Sequence, residues 1–251
     1  MKLIILLPIA FLCELIDSSL GMGYGTTLTP ILLLMGFDPI DIVPAVLMSE
    51  FISGILASTF HHSIGNVNFK KKSKDLKVAL VLGLLSIIGV TISVFLSINL
   101  SVEIIKIIIG CIILSMGFII ILTYKVKPNF SWTKISFLGI IASFNKGISG
   151  GGYGPTIMGG QILSGVGVKN AVGITSLAEG ITCFVGFTLY YFLNPNLNLF
   201  LAPWIMAGAV LSVPIASNLV KILPEKIIKL FIAIVIFSLG ILTLLKAFHI
   251  I

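Results

Sequence analysis

The chain has 251 residues, 57% of them hydrophobic and 10% charged, with a mean hydropathy of +1.18. So little charge cannot cover the surface of a soluble domain of this length, which excludes an ordinary globular protein. The net charge of +7 comes from 16 lysines and no arginine. Nucleic-acid binding would need a solvated basic face with stacking aromatics, and no soluble domain is there to carry one, so the excess reads as membrane topology.

Apolar segments follow one another along the chain. The first, at about 3–18, starts after a single lysine and resembles a secretory signal. No small-residue cleavage site follows it, and Glu14 and Asp17 would be discarded with it, so it reads as the first membrane helix. The second, at about 24–36, is preceded by Gly21-Met22-Gly23-Tyr24-Gly25. Its apolar part is about 12 residues, or roughly 18 Å of helix against ~30 Å of hydrocarbon, so it cannot span unaided and must begin near the midplane. The third, at about 42–60, carries Glu50, and the fourth and fifth lie at about 77–98 and 103–124.

Segments at about 134–147, 153–165, 170–192, 200–220 and 226–248 repeat this order. The second glycine cluster is Gly150-Gly151-Gly152-Tyr153-Gly154, and from Tyr24 to Tyr153 the offset is 129 residues. At that offset Thr27 falls on Thr156, Leu34 on Leu163, Gly36 on Gly165, Glu50 on Glu179 and Ile52 on Ile181. Later the offset shortens to 123, which aligns Glu103 and Lys106 with Lys226 and Lys229. The expected fold is therefore an all-α polytopic membrane protein of about ten segments, with residues 1–125 as one repeat, 134–251 as the second and 126–133 as a cytoplasmic linker. An odd number of crossings per repeat inverts the second copy, and the short helices become discontinuous helices at the midplane.

The lysines set the orientation. Lys70, Lys71, Lys72, Lys74 and Lys77 follow the third segment, and Lys125, Lys127 and Lys134 follow the fifth, whereas Asn99–Ser101 and Asn194–Asn198 carry none. Loops 61–77 and 125–134 are then cytoplasmic and both termini outside, in a multi-pass protein of the plasma or inner membrane.

A chain that breaks within the membrane leaves the first N–H groups of the new helix unpartnered and exposes the positive end of its dipole, which together make an anion site. The expected substrate-binding set is Ser18, Ser19, Gly21, Gly23, Tyr24, Gly25, Thr26 and Thr27 around the first break. Around the second it is Asn145, Lys146, Ser149, Gly150, Gly151, Gly152, Tyr153, Gly154 and Thr156. The competing reading of the glycines is close helix packing.

Ionisable residues inside a membrane are costly and default to functional or paired roles. Glu50, Glu179 and Asp17 are the expected proton-coupling or gating groups, since a desolvated carboxyl can take up and release a proton. Lys146 either pairs with Asp17, its counterpart by the repeat, or faces the substrate. His61 and His62 read as a solvated cap at a helix end. Cys13, Cys111 and Cys183 sit in apolar runs and read as packing residues, so neither a metal nor a cofactor is implied. No nucleophile–base pair lies within the segments, which argues against an enzyme.

Two repeats, each with a glycine-rich turn, a short helix and a second helix rich in small residues, resemble the TauE/SafE family of sulfite exporters and toluenesulfonate-uptake-type permeases. The resemblance rests on Asp17–Pro30 with Pro44–Gly54 and on Lys146–Ile157 with Gly173–Gly180; Met22 stands where that family usually has a further glycine. It implies a transporter of sulfite, an organosulfonate or a related sulfur oxyanion by alternating access, with an anion channel or a carrier for a small carboxylate as alternatives. The expected partners are the small anion, the lipid bilayer and, as an option, a second copy in a homodimer, but no nucleic acid.

Overall fold

The computed structural model describes residues 3–122, 131–163, 166–220, 222 and 225–248. Most of the expected linker, with Lys125 and Lys127, lies outside the described residues. Those residues form ten α-helices and no strand. The first five are α1 (Leu6–Leu20), α2 (Tyr24–Leu34), α3 (Pro39–Ile64), α4 (Lys74–Asn99) and α5 (Val102–Leu122). The rest are α6 (Trp132–Ser149), α7 (Tyr153–Leu163), α8 (Val168–Leu193), α9 (Ala202–Leu219) and α10 (Glu225–Ala247). Among the described residues α3, α4, α8 and α9 are long and apolar enough to cross a membrane. Large apolar side chains such as Leu84, Phe137, Phe192 and Leu211 stand exposed on the outside of the bundle, as a lipid-facing surface requires.

Helix α3 begins earlier than its hydrophobicity suggests because Asp38 is extended and Pro39 opens the first turn, where its missing N–H costs nothing. The two breaks are built alike. Gly21 (φ 71°) and Gly23 (φ 139°) interrupt the chain between α1 and α2, and Gly150 (φ 70°) and Gly152 (φ 79°) interrupt it between α6 and α7. Residues with a Cβ rarely adopt such angles, so glycine is required there. Both helices after the breaks have 11 residues, about 16 Å of rise, and the backbone at both breaks is buried in protein.

The helices of the first five lie mainly on helices of the last five: α1 on α9, α4 on α6, α3 on α8 and α5 on α10. Small residues permit the close approach. A Cβ on Gly208 would run into the Leu7 carbonyl, one on Gly89 into the Ile140 carbonyl, and one on Gly240 would lie 2.8 Å from the Leu114 nitrogen.

Candidate functional site

The breaks meet in the middle of the bundle, backbone against backbone. A Cβ on Gly25 would collide with the Gly150 carbonyl, and one on Gly154 would come within 2.7 Å of the Gly21 carbonyl. Gly152 N–H donates to Thr26 Oγ1 at 3.0 Å, which ties the second break to the first. The glycines therefore serve close packing, and several of the expected donors are already engaged within the protein. Tyr24 N–H donates to Asp17 Oδ1 (3.2 Å) and Gly151 N–H to Ser149 Oγ (3.0 Å).

Hydroxyls expected to face a ligand are likewise turned to local acceptors. Ser18 Oγ donates to Glu14 Oε1 at 2.5 Å and Ser19 Oγ to the Leu15 carbonyl. Thr27 Oγ1 reaches the Gly23 carbonyl (2.5 Å), Ser149 Oγ the Asn145 carbonyl (2.7 Å) and Thr156 Oγ1 the Gly152 carbonyl (2.8 Å). Tyr24 and Tyr153 are fully buried, with their hydroxyls 2.7 Å from Ser49 Oγ and 3.2 Å from Ser86 Oγ. They stitch α2 to α3 and α7 to α4.

Beside the breaks sits a charged cluster. Glu50 and Glu179 each lie eleven residues beyond the first residue of a 26-residue helix, about 16 Å along it and so near its middle. Lys146, with no exposed surface, donates to Glu50 Oε2 and, at 2.8 Å, to Glu179 Oε1. Of the two roles left open for Lys146, pairing with Asp17 is not what the geometry shows; Asp17 instead takes the first N–H of α2, where the helix dipole favours a carboxylate. One oxygen each from Asp17, Glu50 and Glu179 lies within 4.8 Å of the others. Glu14 closes the group, accepting from Ser18 and from Ser53 Oγ (3.1 Å). A cavity of about 10 Å³ lies between Glu14, Asp17, Glu50, Ser53, Ser176 and Glu179. Asn145 is buried on α6 next to Lys146.

Glu14 is one of the ionisable residues that the sequence places inside the membrane, but sequence reasoning gave it no role; its position one helical turn before Ser18 was the available signal for this partner. It also misread His61. Rather than a solvated cap, His61 is buried: Gly65 (φ 83°) ends α3 and turns Asn66 back beneath it. Asn66 Nδ2 donates to His61 Nδ1 (3.0 Å) and to the Ser217 carbonyl (2.9 Å), which leaves His61 Nε2–H to donate to the Ser18 carbonyl at 2.9 Å. Replacing His61 with Leu strands that carbonyl at the end of α1. The expected loss is about 1–3 kcal/mol, read as earlier thermal unfolding in detergent.

Three comparisons bear on this arrangement. The family model described as "Sulfite exporter TauE/SafE" matches residues 6–243. Among curated proteins, the probable membrane transporter protein YtnM of Bacillus subtilis (strain 168) is 28% identical over 233 residues, covering 88% of this chain and 75% of that protein. No solved structure matches.

Proposed function

Because the chain belongs to the sulfite exporter TauE/SafE family of membrane transporters, we propose that it is a secondary transporter of a small anion, sulfite or an organosulfonate, working by alternating access. The observation that carries this reading is Lys146. A fully buried ammonium where two glycine breaks meet is the group to which an anion would be drawn. Glu50 and Glu179 already occupy that ammonium, so an anion has to take it from them. Protonation of the two carboxyls weakens their hold on Lys146 and favours the anion, which gives proton coupling with a definite sign: an acid entry side drives uptake.

An inverted duplication, residues 1–125 on 134–251, supplies the moving parts. Supporting it, exchange of each helix for its counterpart five places on turns α1 on α9 into α6 on α4, and the contact of Gly25 with Gly150 into that of Gly154 with Gly21. The exposed lysines of 70–77 support a cytoplasmic face for that loop and outside termini, in the cell membrane.

Counterflow in proteoliposomes with sulfite, sulfate, thiosulfate, sulfonates and acetate, with and without a pH gradient, tests the proposal. Sulfite or a sulfonate is expected to exchange, and counterflow of none of these anions would sink it; acetate alone would make it a carboxylate carrier. In Glu179→Gln the response of uptake to the pH gradient should vanish, and an unchanged response removes Glu179 from coupling.

A further inference from the structure

We propose that Asp17, Glu50 and Glu179 form a binding site for one monovalent metal cation of about the size of Na⁺, with the Lys146 ammonium as its neighbour. Charge is the first ground. Four buried carboxyls, those of Glu14, Asp17, Glu50 and Glu179, line one cavity, and the single buried lysine beside it pairs with two of them; carboxylates held without compensating charge in a membrane interior are prohibitively costly.

Geometry is the second. Protonated carboxyls relieve one another by direct hydrogen bonds at about 2.5–2.7 Å. Among the described residues none of these four hydrogen-bonds another. Instead, oxygens of three of them converge to within 4.8 Å around a cavity the size of a water molecule. Hard cations held by oxygens at about 2.3–2.6 Å keep any two ligand oxygens within roughly 5.2 Å of each other, and these three oxygens meet that limit.

The third is an orphaned acceptor. Glu50 lines the cavity and is 3% exposed, and its Oε1 has no hydrogen-bond partner although Oε2 holds Lys146. Ser53 and Ser176 line the same space and add hydroxyl oxygens. The single charge follows from Lys146, which holds two of the three carboxylates and repels a divalent ion about twice as strongly.

The test is equilibrium binding of radiolabelled Na⁺ to the purified full-length protein in detergent at one fixed pH, with choline as the inert replacement. Saturable binding of one Na⁺ per chain is expected, displaced by unlabelled Na⁺. Asp17→Asn and Glu50→Gln should each weaken it by about tenfold or more, because each removes a charged ligand. Two variants on different helices keep the test open if one does not fold, with monodisperse elution and unfolding temperature as the control on each. Absence of saturable Na⁺ binding in wild-type protein that carries out anion counterflow overturns the cation site and leaves the transport reading standing. Na⁺ binding of wild-type strength in both variants overturns it as well. Saturable, variant-sensitive Na⁺ binding by a protein that moves no anion supports the site and defeats the transport reading.

Discussion

Gly25→Ala should cost about 3 kcal/mol or more and abolish transport, although it adds one methyl group at a helical position with no unusual backbone angle. The methyl would collide with the Gly150 carbonyl and lie 3.1 Å from the Gly151 Cα, and main-chain atoms cannot rotate away as a side chain can. Overpacking against side chains usually costs about 1–3 kcal/mol, and here both breaks must shift together. Gly154→Ala should act in the same direction, since its methyl meets the Gly21 carbonyl and the Met22 Cα. Gly65→Ala is the contrast. It forces a Cβ into the left-handed region (φ 83°), but nothing lies within 4 Å, so its cost should be only about 1–2 kcal/mol. Thermal unfolding in detergent and proteoliposome flux measure all three. If Gly25→Ala unfolds no earlier than Gly65→Ala, the two breaks are not held by backbone contact.

Lys146→Met is expected to be comparably damaging for a different reason. Glu50 and Glu179 are 3% and 5% exposed and lose their shared partner, and breaking a buried ion pair from one side typically costs about 3–5 kcal/mol. The triple change to Lys146→Met, Glu50→Gln and Glu179→Gln removes the stranded charges and should recover much of that loss. Transport should not return, because the ammonium is still missing. Unfolding temperatures of the single and triple variants give the comparison, and a triple variant no more stable than Lys146→Met alone would show that the loss comes from packing rather than charge.

Hydropathy, segment length and the 129-residue register made the helices legible, including the two of 11 residues and the glutamates in the middle of α3 and α8. Partners across helices were not legible. The register aligns Asp17 with Lys146, but a repeat shows which positions are equivalent and says nothing about which ones touch. Lys146 reaches Glu50 and Glu179 because α6 delivers it to the α3–α8 crossing, where a Cβ on Gly54 would come within 2.9 Å of the Ser176 carbonyl, so only glycine lets the two helices lie so close. That the hydroxyls around the breaks bond within the protein was not legible for a similar reason. Ser and Thr in membrane helices readily bond the carbonyl one turn back, and Thr27 and Thr156 both do so. His61 looked solvated because a helix end in a sequence carries no sign of what folds back over it.

The interleaving of the two halves constrains how the chain is made. Helix α1 ends at Leu20, and α9, on which it lies, begins at Ala202. At synthesis rates of about 5–20 residues per second, α1 therefore waits roughly ten to forty seconds for its partner to leave the ribosome. Through that interval it holds Glu14 and Asp17 in or beside the bilayer, before Ser53 and the rest of the cluster can surround them. Productive biogenesis thus depends on something sheltering α1 in the meantime, at the insertion machinery or at the water interface, until the last third of the chain arrives.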